Sequence, residues 1–389
     1  MPLLPRSRVA ALTLPPFDPL NARAAELRRQ GHPVISMGQA VPGFAPPPAA
    51  TDAIRASLDA PGAHLYSTDP GLLSLREILA ERLRAQAIDV RPDDIIITAG
   101  GNHAFALATL TLLDPGDEVL LPSPYFTNQE MMLRVAGVTP REVPLTEANG
   151  FALRWRDLEP HVTARTRAVV FCTPSNPTGA VIDRAAGARI VAELSRRQVL
   201  VVSDETYMPF VYGRPHWSAA SESSWRDNVV VVGTFSKSFG MTGWRVGYLL
   251  ASRELCAEAV KVQDAMIICA PVLSQRAAEA ALRDAPDYPA RFLPELSARR
   301  ELLRDGLQSI PRLHWTMTDG GFFAFVRVEG CEDSAQLARD LLEREYVVTL
   351  PGSTFGAAGE GYLRLSYGSA TQAELREALG RLARFCANG

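Results

Sequence analysis

The sequence has 389 residues, and single hydrophobic cores rarely grow beyond roughly 250–300 residues, so we expect one large domain and one smaller one. Apolar residues make up 47% of the chain and charged residues 21%, with a formal net charge of −3. This balance is typical of a soluble globular protein and excludes the positive field with which proteins bind nucleic acids or anionic membranes. No apolar run approaches the ~20 residues needed to cross a bilayer, and no signal-peptide pattern is present.

The five cysteines are odd in number and widely separated along the chain. They form no Cys-x-x-Cys pair, and no clustered His and Cys spacing is present, so neither a disulfide framework nor a zinc site is predicted. We therefore expect no metal ion, and we expect the protein to be cytoplasmic, because free thiols are typical of a reducing compartment.

The predicted elements begin with a proline-rich segment, 1–44, that contains one short apolar run at 34–37. We interpret it as an N-terminal arm that packs on the smaller domain. Residues 45–275 are predicted to form the large domain, because short apolar runs alternate there with helical periodicity, as at 104–113 and 186–197. The apolar runs lie at 95–98, 119–121, 168–172, 199–203 and 229–232. Continuous β-branched runs indicate strands covered on both faces, which predicts an α/β fold with a mostly parallel central sheet flanked by helices.

The pattern changes in the last third of the chain, which we assign to a smaller α+β C-terminal domain at 276–389. Helical stretches at 274–282 and 296–307 precede strand-like runs at 322–328 and 362–365. The sequence Thr371-Gln372-Ala373-Glu374 is a capping box, which predicts that the last helix begins there.

Polar residues follow four of the five predicted strands of the large domain. The four groups are Gly101-Asn102 after the first strand, Asn176-Pro177-Thr178-Gly179 after the third, Asp204 to Tyr207 after the fourth, and Thr234 to Lys237 with Arg245 after the fifth. Ligands of parallel α/β sheets bind beyond the carboxyl ends of the strands. These residue types therefore predict a phosphate site beside an acid and an amine.

The order and spacing of these residues are specific. Asp204 follows Asn176 by 28 residues, Lys237 follows Asp204 by 33, and Arg245 follows Lys237 by 8. From about Val34 to the end, the chain resembles the fold-type I aminotransferases that depend on pyridoxal 5′-phosphate (PLP). The resemblance is to their class I/II family, which includes aspartate, aromatic and kynurenine aminotransferases.

The resemblance implies a role for each residue of the predicted site. Lys237 would form the Schiff base with PLP and then act as the catalytic base, and Asp204 would pair with the pyridine nitrogen. Asn176 and Tyr207 would donate to the phenolate oxygen of the ring. The remaining cofactor contacts would be phosphate ligands at Gly101, Asn102, Thr234, Ser236 and Arg245, a stacked ring at Phe126, and Tyr66 reaching the phosphate of the neighbouring subunit. The substrate carboxylate would lie against Arg364, Asn176 and Ala40, since an arginine fork suits a carboxylate.

Two positions depart from the family pattern. Ala40 replaces the glycine that usually lets the backbone approach the substrate carboxylate, and Gly43 replaces an aspartate. The segment 264–270 is apolar with no base, and Asn102 lies where related enzymes vary between Lys, Tyr and other residues. We therefore predict a neutral or aromatic L-amino acid as donor. Asp18 or Asp264 could instead receive a cationic substrate side chain.

The resemblance further implies a 2-oxo acid as acceptor, ping-pong kinetics and a homodimer with shared active sites. Two alternatives stay open from the residues alone. The same lysine and ring contacts serve β-elimination, cyclisation, decarboxylation or oxidation of amino acids. A PLP-binding regulatory protein is the other alternative, although only about 30 residues precede Val34, which is too few for a DNA-binding module.

Overall fold

The computed structural model describes residues 7–387, which form thirteen strands and fifteen α-helices, besides nine short 3-10 helices, within that range. The strands are β1 (Ile35–Ser36), β2 (Ile95–Thr98), β3 (Glu118–Ser123), β4 (Thr139–Pro144), β5 (Thr166–Cys172), β6 (Leu200–Asp204), β7 (Val229–Thr234), β8 (Gly247–Leu250), β9 (Leu313–His314), β10 (Phe323–Val328), β11 (Val347–Val348), β12 (Leu350–Pro351) and β13 (Tyr362–Ser366). The helices are α1 (Ser7–Ala10), α2 (Phe17–Arg29), α3 (Pro48–Leu58), α4 (Leu73–Arg84), α5 (Gly101–Leu112), α6 (Thr127–Val135), α7 (Trp155–Leu158), α8 (Arg184–Arg196), α9 (Trp225–Asn228), α10 (Phe235–Ser238), α11 (Arg253–Ile267), α12 (Val272–Asp284), α13 (Leu293–Gln308), α14 (Ser334–Glu345) and α15 (Gln372–Ala387).

Seven strands form the central sheet in the order β2-β8-β7-β6-β5-β3-β4. Neighbouring strands pair in parallel except for β8, which is antiparallel to both β2 and β7. The strands predicted from continuous apolar runs are buried on both faces, as their composition requires. The predicted α/β class with a mostly parallel sheet is therefore confirmed.

The sheet also contains two strands that the apolar runs did not predict. The edge strand β4 is mostly exposed and contains Pro140 and Pro144, so it has no continuous apolar run. Proline is tolerated there because an edge strand has one side free of partners. The other strand, β8, is short and begins at Gly247, where an added Cβ would lie 2.7 Å from the carbonyl oxygen of Gly233.

The C-terminal part of the chain builds an antiparallel sheet in the order β12-β13-β10-β9, which α13 and α14 contact, and α15 packs on both helices. The predicted capping box is confirmed at the start of α15. Thr371 Oγ1 accepts the backbone N–H of Glu374 at 3.2 Å, and Glu374 Oε2 accepts the N–H of Thr371 at 2.8 Å. This reciprocal pair satisfies N–H groups that the first helical turn leaves without partners.

The N-terminal segment lies against this C-terminal sheet region. Strand β1 pairs in parallel with β11, and Arg23 of α2 forms an ion pair with Glu343 of α14 at 2.6 Å. The predicted boundary at 275/276 falls inside α12, which packs on α3 and α4 of the large domain. The division into an arm and two domains stays a prediction.

Within residues 7–387, none of the helices is long and apolar enough to cross a membrane. In the same range, no group of three or more His, Cys, Asp or Glu side chains is arranged to hold a metal ion.

Candidate active site

A cavity of about 370 Å³ opens at the carboxyl ends of the central strands, between β6, β7 and the first turn of α5. Residues of the N-terminal segment and of β13 complete its wall. Every predicted site residue lines it except Tyr66, namely Ala40, Gly101, Asn102, Phe126, Asn176, Asp204, Tyr207, Thr234, Ser236, Lys237, Arg245 and Arg364. Tertiary structure thus gathers residues that are separated by more than three hundred positions in the chain.

Lys237 lies in the short helix α10, which directly follows β7. Thr234 begins that helix, because its hydroxyl accepts the backbone N–H of Ser236 at 3.1 Å. The Nζ atom of Lys237 donates a hydrogen bond to the carbonyl oxygen of Ala40 at 2.7 Å. The pKa of Lys237 is lowered to about 8, mainly by burial and also by the positive charges of Arg364 and Arg245. At pH 7 about one-tenth of this amine is therefore uncharged, and the uncharged form is the one that acts as a nucleophile or base.

Asp204 is the last residue of β6 and is buried. Gln129 Nε2 donates to its Oδ2 at 2.9 Å, and the backbone N–H of Thr206 donates to its Oδ1 at 3.1 Å. Burial raises the pKa of Asp204, and the hydrogen bonds from Thr206 and Gln129 oppose that shift. Both donors are neutral groups in the described part of the chain. The negative charge of the Asp204 carboxylate can therefore pair with a cationic N–H group bound in the cavity.

Arg364 projects from β13 and is only 1% exposed. Its Nη1 donates to Asn176 Oδ1 at 2.8 Å, and its Nη2 donates to the carbonyl oxygen of Gly38. The guanidinium carbon lies 5.9, 4.9 and 5.1 Å from the ring centroids of Phe17, Phe323 and Phe355. Burial lowers the pKa of Arg364 to about 10, since water no longer stabilises the charge. A buried cation held by neutral groups and aromatic faces is suited to an anionic ligand.

An anion cradle forms where α5 begins. Gly100 has a φ of +87°, a conformation that favours glycine, and the Arg245 guanidinium lies against it, since a Cβ there would lie 2.6 Å from Arg245 Nη2. Arg245 itself has a φ of +53°, an unusual conformation for a residue with a side chain, and its Nη1 donates to the carbonyl oxygen of Thr242 at 2.9 Å. The free N–H groups of the first turn of α5 and the Arg245 guanidinium therefore converge on one side of the cavity.

Two aromatic residues shape the rest of the wall. Tyr207 is buried, and its ring makes edge contacts with Phe322 and Phe323 at centroid distances of 5.4 and 5.1 Å. Burial raises the pKa of its phenol, which therefore stays protonated and can donate a hydrogen bond. Phe126 precedes the first turn of α6 and lines the cavity as an apolar ring surface.

Several lining residues were not predicted from the sequence. They are Gln39, Val41, Asn128, Cys172, Thr206 and Pro15. Gln129, which binds Asp204, was also missed. It follows Phe126 by three residues at the start of α6, so the helical i, i+3 spacing was the available signal. Thr206 lies between Asp204 and Tyr207 in the Asp-x-x-Tyr motif, and this position could have predicted that it lines the cavity.

Some candidate residues lie outside this cavity. Tyr66 is 76% exposed, and neither Asp18 nor Asp264 lines the cavity. Both aspartates are exposed, so a cationic substrate side chain finds no acidic partner from them in this protomer. His103 has a local role, because its Nδ1 accepts the backbone N–H of Ala99 at 3.0 Å just before α5.

Comparison with known proteins decides the family. Residues 32–382 match the family model described as aminotransferase class I and II. The chain belongs to this family. It is 35% identical over 371 residues to the probable aspartate/prephenate aminotransferase of Aquifex aeolicus, covering 93% of each chain. It is 36% identical to the aromatic-amino-acid aminotransferase 2 of Thermococcus litoralis, covering 90% of each. Aspartate aminotransferase from Thermus thermophilus with maleate superimposes with a TM-score of 0.91 at 32% identity, covering 99% of this chain and 100% of that one.

This protein is therefore an enzyme that performs transamination with PLP as its cofactor. The residues of the cavity fit PLP. Lys237, Asp204, Arg245 and Arg364 all line it, and each is hydrogen-bonded only to neutral groups in the described part of the chain. Asp204 and Arg364 are buried, Lys237 is partly buried and Arg245 is exposed. An isolated buried charge is unfavourable without a ligand that pairs with it. An aldehyde, a pyridinium nitrogen, a phosphate and a substrate carboxylate are suitable partners for these four groups.

Proposed function

We propose that this aminotransferase moves the α-amino group of a neutral or aromatic L-amino acid to a 2-oxo acid by a ping-pong mechanism. The observation that carries the proposal is the charge of the cavity. Within residues 7–387, its lining contains three cationic side chains, Lys237, Arg245 and Arg364. Lys237 would bind the aldehyde of PLP, Arg245 its phosphate, and Arg364 the α-carboxylate of the substrate. No cation of this protomer is then left to pair with a carboxylate on a substrate side chain.

The aromatic and apolar residues near Arg364 support the same donor class. Phe17 lies 5.9 Å from the guanidinium carbon, measured to its ring centroid, and Pro15 and Val41 line the same cavity. A substrate whose carboxylate binds Arg364 would present its side chain to these apolar surfaces, which favour the burial of apolar groups.

The cofactor would be held from three sides by residues of this chain. Asp204 would bind the protonated pyridine nitrogen. The positive charge of that nitrogen would make the burial of the Asp204 carboxylate less unfavourable. Asn176 and Tyr207 would donate to the phenolic oxygen, while Phe126 would cover one face of the ring. The phosphate would lie against the first turn of α5, beside Arg245 and the hydroxyls at Thr234 and Ser236.

When bound, PLP would store the electron pair released from the substrate α-carbon in its pyridine ring. Lys237 Nζ would bind the cofactor aldehyde at rest and would take the α-carbon proton once released. The lowered pKa of about 8 leaves part of the amine free to do this near neutral pH. Arg364 would orient the α-carboxylate, and Asn176 would hold the guanidinium in place through their 2.8 Å hydrogen bond.

Steady-state rates with a panel of donors test the donor class. The panel contains phenylalanine, tyrosine, leucine, alanine, aspartate, glutamate and arginine, each with a common 2-oxo acid. We expect higher kcat/KM values for the neutral and aromatic donors. A strong preference for aspartate or glutamate would overturn the proposed donor class, and the release of ammonia or pyruvate without transfer would favour lyase chemistry instead.

We also propose a homodimer with shared active sites that acts in the cytoplasm. A set of exposed apolar side chains supports the dimer: Leu65, Tyr66, Leu73, Met266 and Ile267. The loop that carries the first two is tied to α12, since Gln275 Nε2 donates to Ser67 Oγ at 3.1 Å. Clustered exposed apolar side chains are typical of interaction sites.

Mixing two inactive variants tests whether the sites are shared. Lys237→Ala lacks the amine, and Tyr66→Ala lacks the side chain predicted to reach the partner's phosphate. If sites are shared, a mixed dimer carries one site with both residues intact and recovers activity. A mixture as inactive as its components, with exchange of subunits verified by mass, would contradict the shared site.

A further inference from the structure

The wall segment Asp204 to Thr206 lies between two cavities. Asp204 and Thr206 line the active-site cavity. Glu205 and Thr206 line a second cavity of about 510 Å³, which lies between α4, the 208–221 loop and the segment that follows α12. Thr206 and Thr234 line both cavities, so at this point the two cavities share a common wall.

Glu205 in this wall is held by four hydrogen bonds. Its carboxylate is only 3% exposed. The Oε1 atom accepts hydrogen bonds from Ser203 Oγ at 3.0 Å, Ser218 Oγ at 3.0 Å and the backbone N–H of Ala219 at 2.9 Å. The Oε2 atom lies 3.1 Å from His216 Nε2, the fourth donor. These four donors come from β6 itself and from the 216–219 loop, so the carboxylate ties the strand end to that loop.

The backbone of Glu205 is fixed as well. Its N–H donates to the carbonyl oxygen of Val232 in β7 at 2.9 Å. Asp204 and Thr206, on either side of Glu205, both line the active-site cavity. The backbone N–H of Thr206 donates to Asp204 Oδ1 at 3.1 Å. Thr206 Oγ1 lies 3.7 Å from the position a Cβ would take at Gly101, beside the first turn of α5. Displacement of Glu205 would therefore move both Asp204 and the Thr206 hydroxyl.

We propose that Glu205 is a positioning residue for PLP, acting through Asp204 and Thr206 and held by Ser203, His216, Ser218 and Ala219. The inference rests on the proposed role of Asp204 at the pyridine nitrogen. Removing the carboxylate would leave up to four buried donors without an acceptor, which is strongly unfavourable in a low-dielectric wall. The wall would rearrange towards the empty space behind it, and the cofactor contacts would lose their geometry.

The test measures the affinity of the PLP-free protein for PLP by equilibrium dialysis, beside the thermal unfolding midpoint of the same protein. We expect Glu205→Ala to raise the Kd for PLP at least about tenfold, because unmade buried hydrogen bonds of this kind weaken binding by that order. Glu205→Gln keeps an acceptor oxygen for the three Oε1 contacts, so we expect its Kd to stay within about threefold of the parent value. A merely structural role would lower the unfolding midpoint and leave the Kd unchanged.

Glu222→Ala is the matched control. Glu222 accepts the Nε1–H of Trp217 at 2.8 Å, and it makes no side-chain hydrogen bond to β6 in the described part of the chain. We expect it to lower the unfolding midpoint without changing the Kd for PLP. A parental Kd in Glu205→Ala, or an equal rise of the Kd in Glu222→Ala, would overturn the inference.

Two further variants complete the design. If Glu205→Ala does not fold, Ser203→Ala removes one of the four donors from a fully buried position, and we expect a Kd raised about two- to threefold. An unchanged Kd in that variant would then overturn the inference. Asp204→Asn separates the two proposals: parental PLP affinity there would refute the role of Asp204. Weakened affinity there with parental affinity in Glu205→Ala would refute only the role of Glu205.

Discussion

Arg364 Nη1 donates a 2.8 Å hydrogen bond to Asn176 Oδ1, across 188 residues of sequence. The contact joins β13 of the C-terminal sheet to the loop that follows β5 of the central sheet. The arginine that we propose to bind the substrate carboxylate and the amide that we propose to bind the cofactor are thereby held in one geometry. Both side chains are buried, so the hydrogen bond is protected from competition with water.

Replacing Arg364 by lysine tests this relationship. A lysine ammonium cannot reach Asn176, Gly38 and a substrate carboxylate together, so we expect Arg364→Lys to lower kcat/KM for the amino donor roughly 100-fold, which is about 2.7 kcal/mol. Arg327→Lys on the neighbouring strand β10 is the control, because Arg327 is 42% exposed in its side chain and pairs with Glu147 at 2.9 Å. Steady-state kinetics on both variants provide the measurement, and parental values in Arg364→Lys would contradict the assignment.

The lowered pKa of Lys237 predicts the pH dependence of PLP attachment to the PLP-free protein. Only the uncharged amine attacks an aldehyde, so we expect the rate to rise with pH and to level off above about 8 rather than near 10.5. Because the charge of Arg364 contributes to the lowering, Arg364→Gln should move the midpoint to higher pH. Stopped-flow absorbance measures both profiles, and a midpoint near 10.5 in the parent protein would refute the prediction.

The same pKa makes a prediction about stability. Between about 8 and 10.5, Lys237 binds more protons in the unfolded chain than in the folded one. The free energy of unfolding of the PLP-free protein should therefore gain a contribution from this residue as the pH rises through that window. Lys237→Met should remove that contribution, which is measured as the difference between the two urea-unfolding series over this pH range. Parallel series would argue against a lowered pKa.

Gln129 is predicted to keep Asp204 available as a carboxylate. Removing its hydrogen bond in Gln129→Leu should raise the pKa of Asp204 further, since burial then acts with one fewer opposing donor. We expect the Kd for PLP to rise roughly tenfold, as for one lost hydrogen bond to a charged group. Gln336→Leu is the control, because it breaks the exposed Gln336–Asp340 hydrogen bond of 2.6 Å far from the cavity. Equal Kd values for the two variants would count against the role of Gln129.

Asn102 is the position at which a new cation should change the donor preference. It lies in the first turn of α5 and lines the cavity. Asn102→Lys should raise the ratio of kcat/KM for aspartate over phenylalanine at least about tenfold, because a second carboxylate would then find a charged partner. Asn102→Met matches lysine in length without its charge and should not produce this change. If the two variants give the same ratio, the lack of a cation in the cavity does not explain why aspartate is disfavoured.

Much of the fold was predictable from the sequence because its signals are local. The apolar runs of β2, β5 and β7 predicted buried strands, and the Thr371–Glu374 capping box predicted the start of α15. Strand β4 was missed, because an exposed edge strand needs no apolar run. The short strand β8 is stabilised by its pairing with β2 and β7 on either side. The local composition of β8 carries little information about these partners.

By itself, the sequence determined which residue types stand at the strand ends and in what order, and this order was sufficient to predict the family and its cofactor. Only the tertiary structure decided which neutral groups hold each charge: Gln129 for Asp204, Ala40 for Lys237 and Asn176 for Arg364. It also decided the pKa of Lys237, which depends on burial and on two arginines from other elements. The physical reason is that periodicity and capping act between near neighbours in the chain, whereas burial and charge act between groups that are brought together by folding.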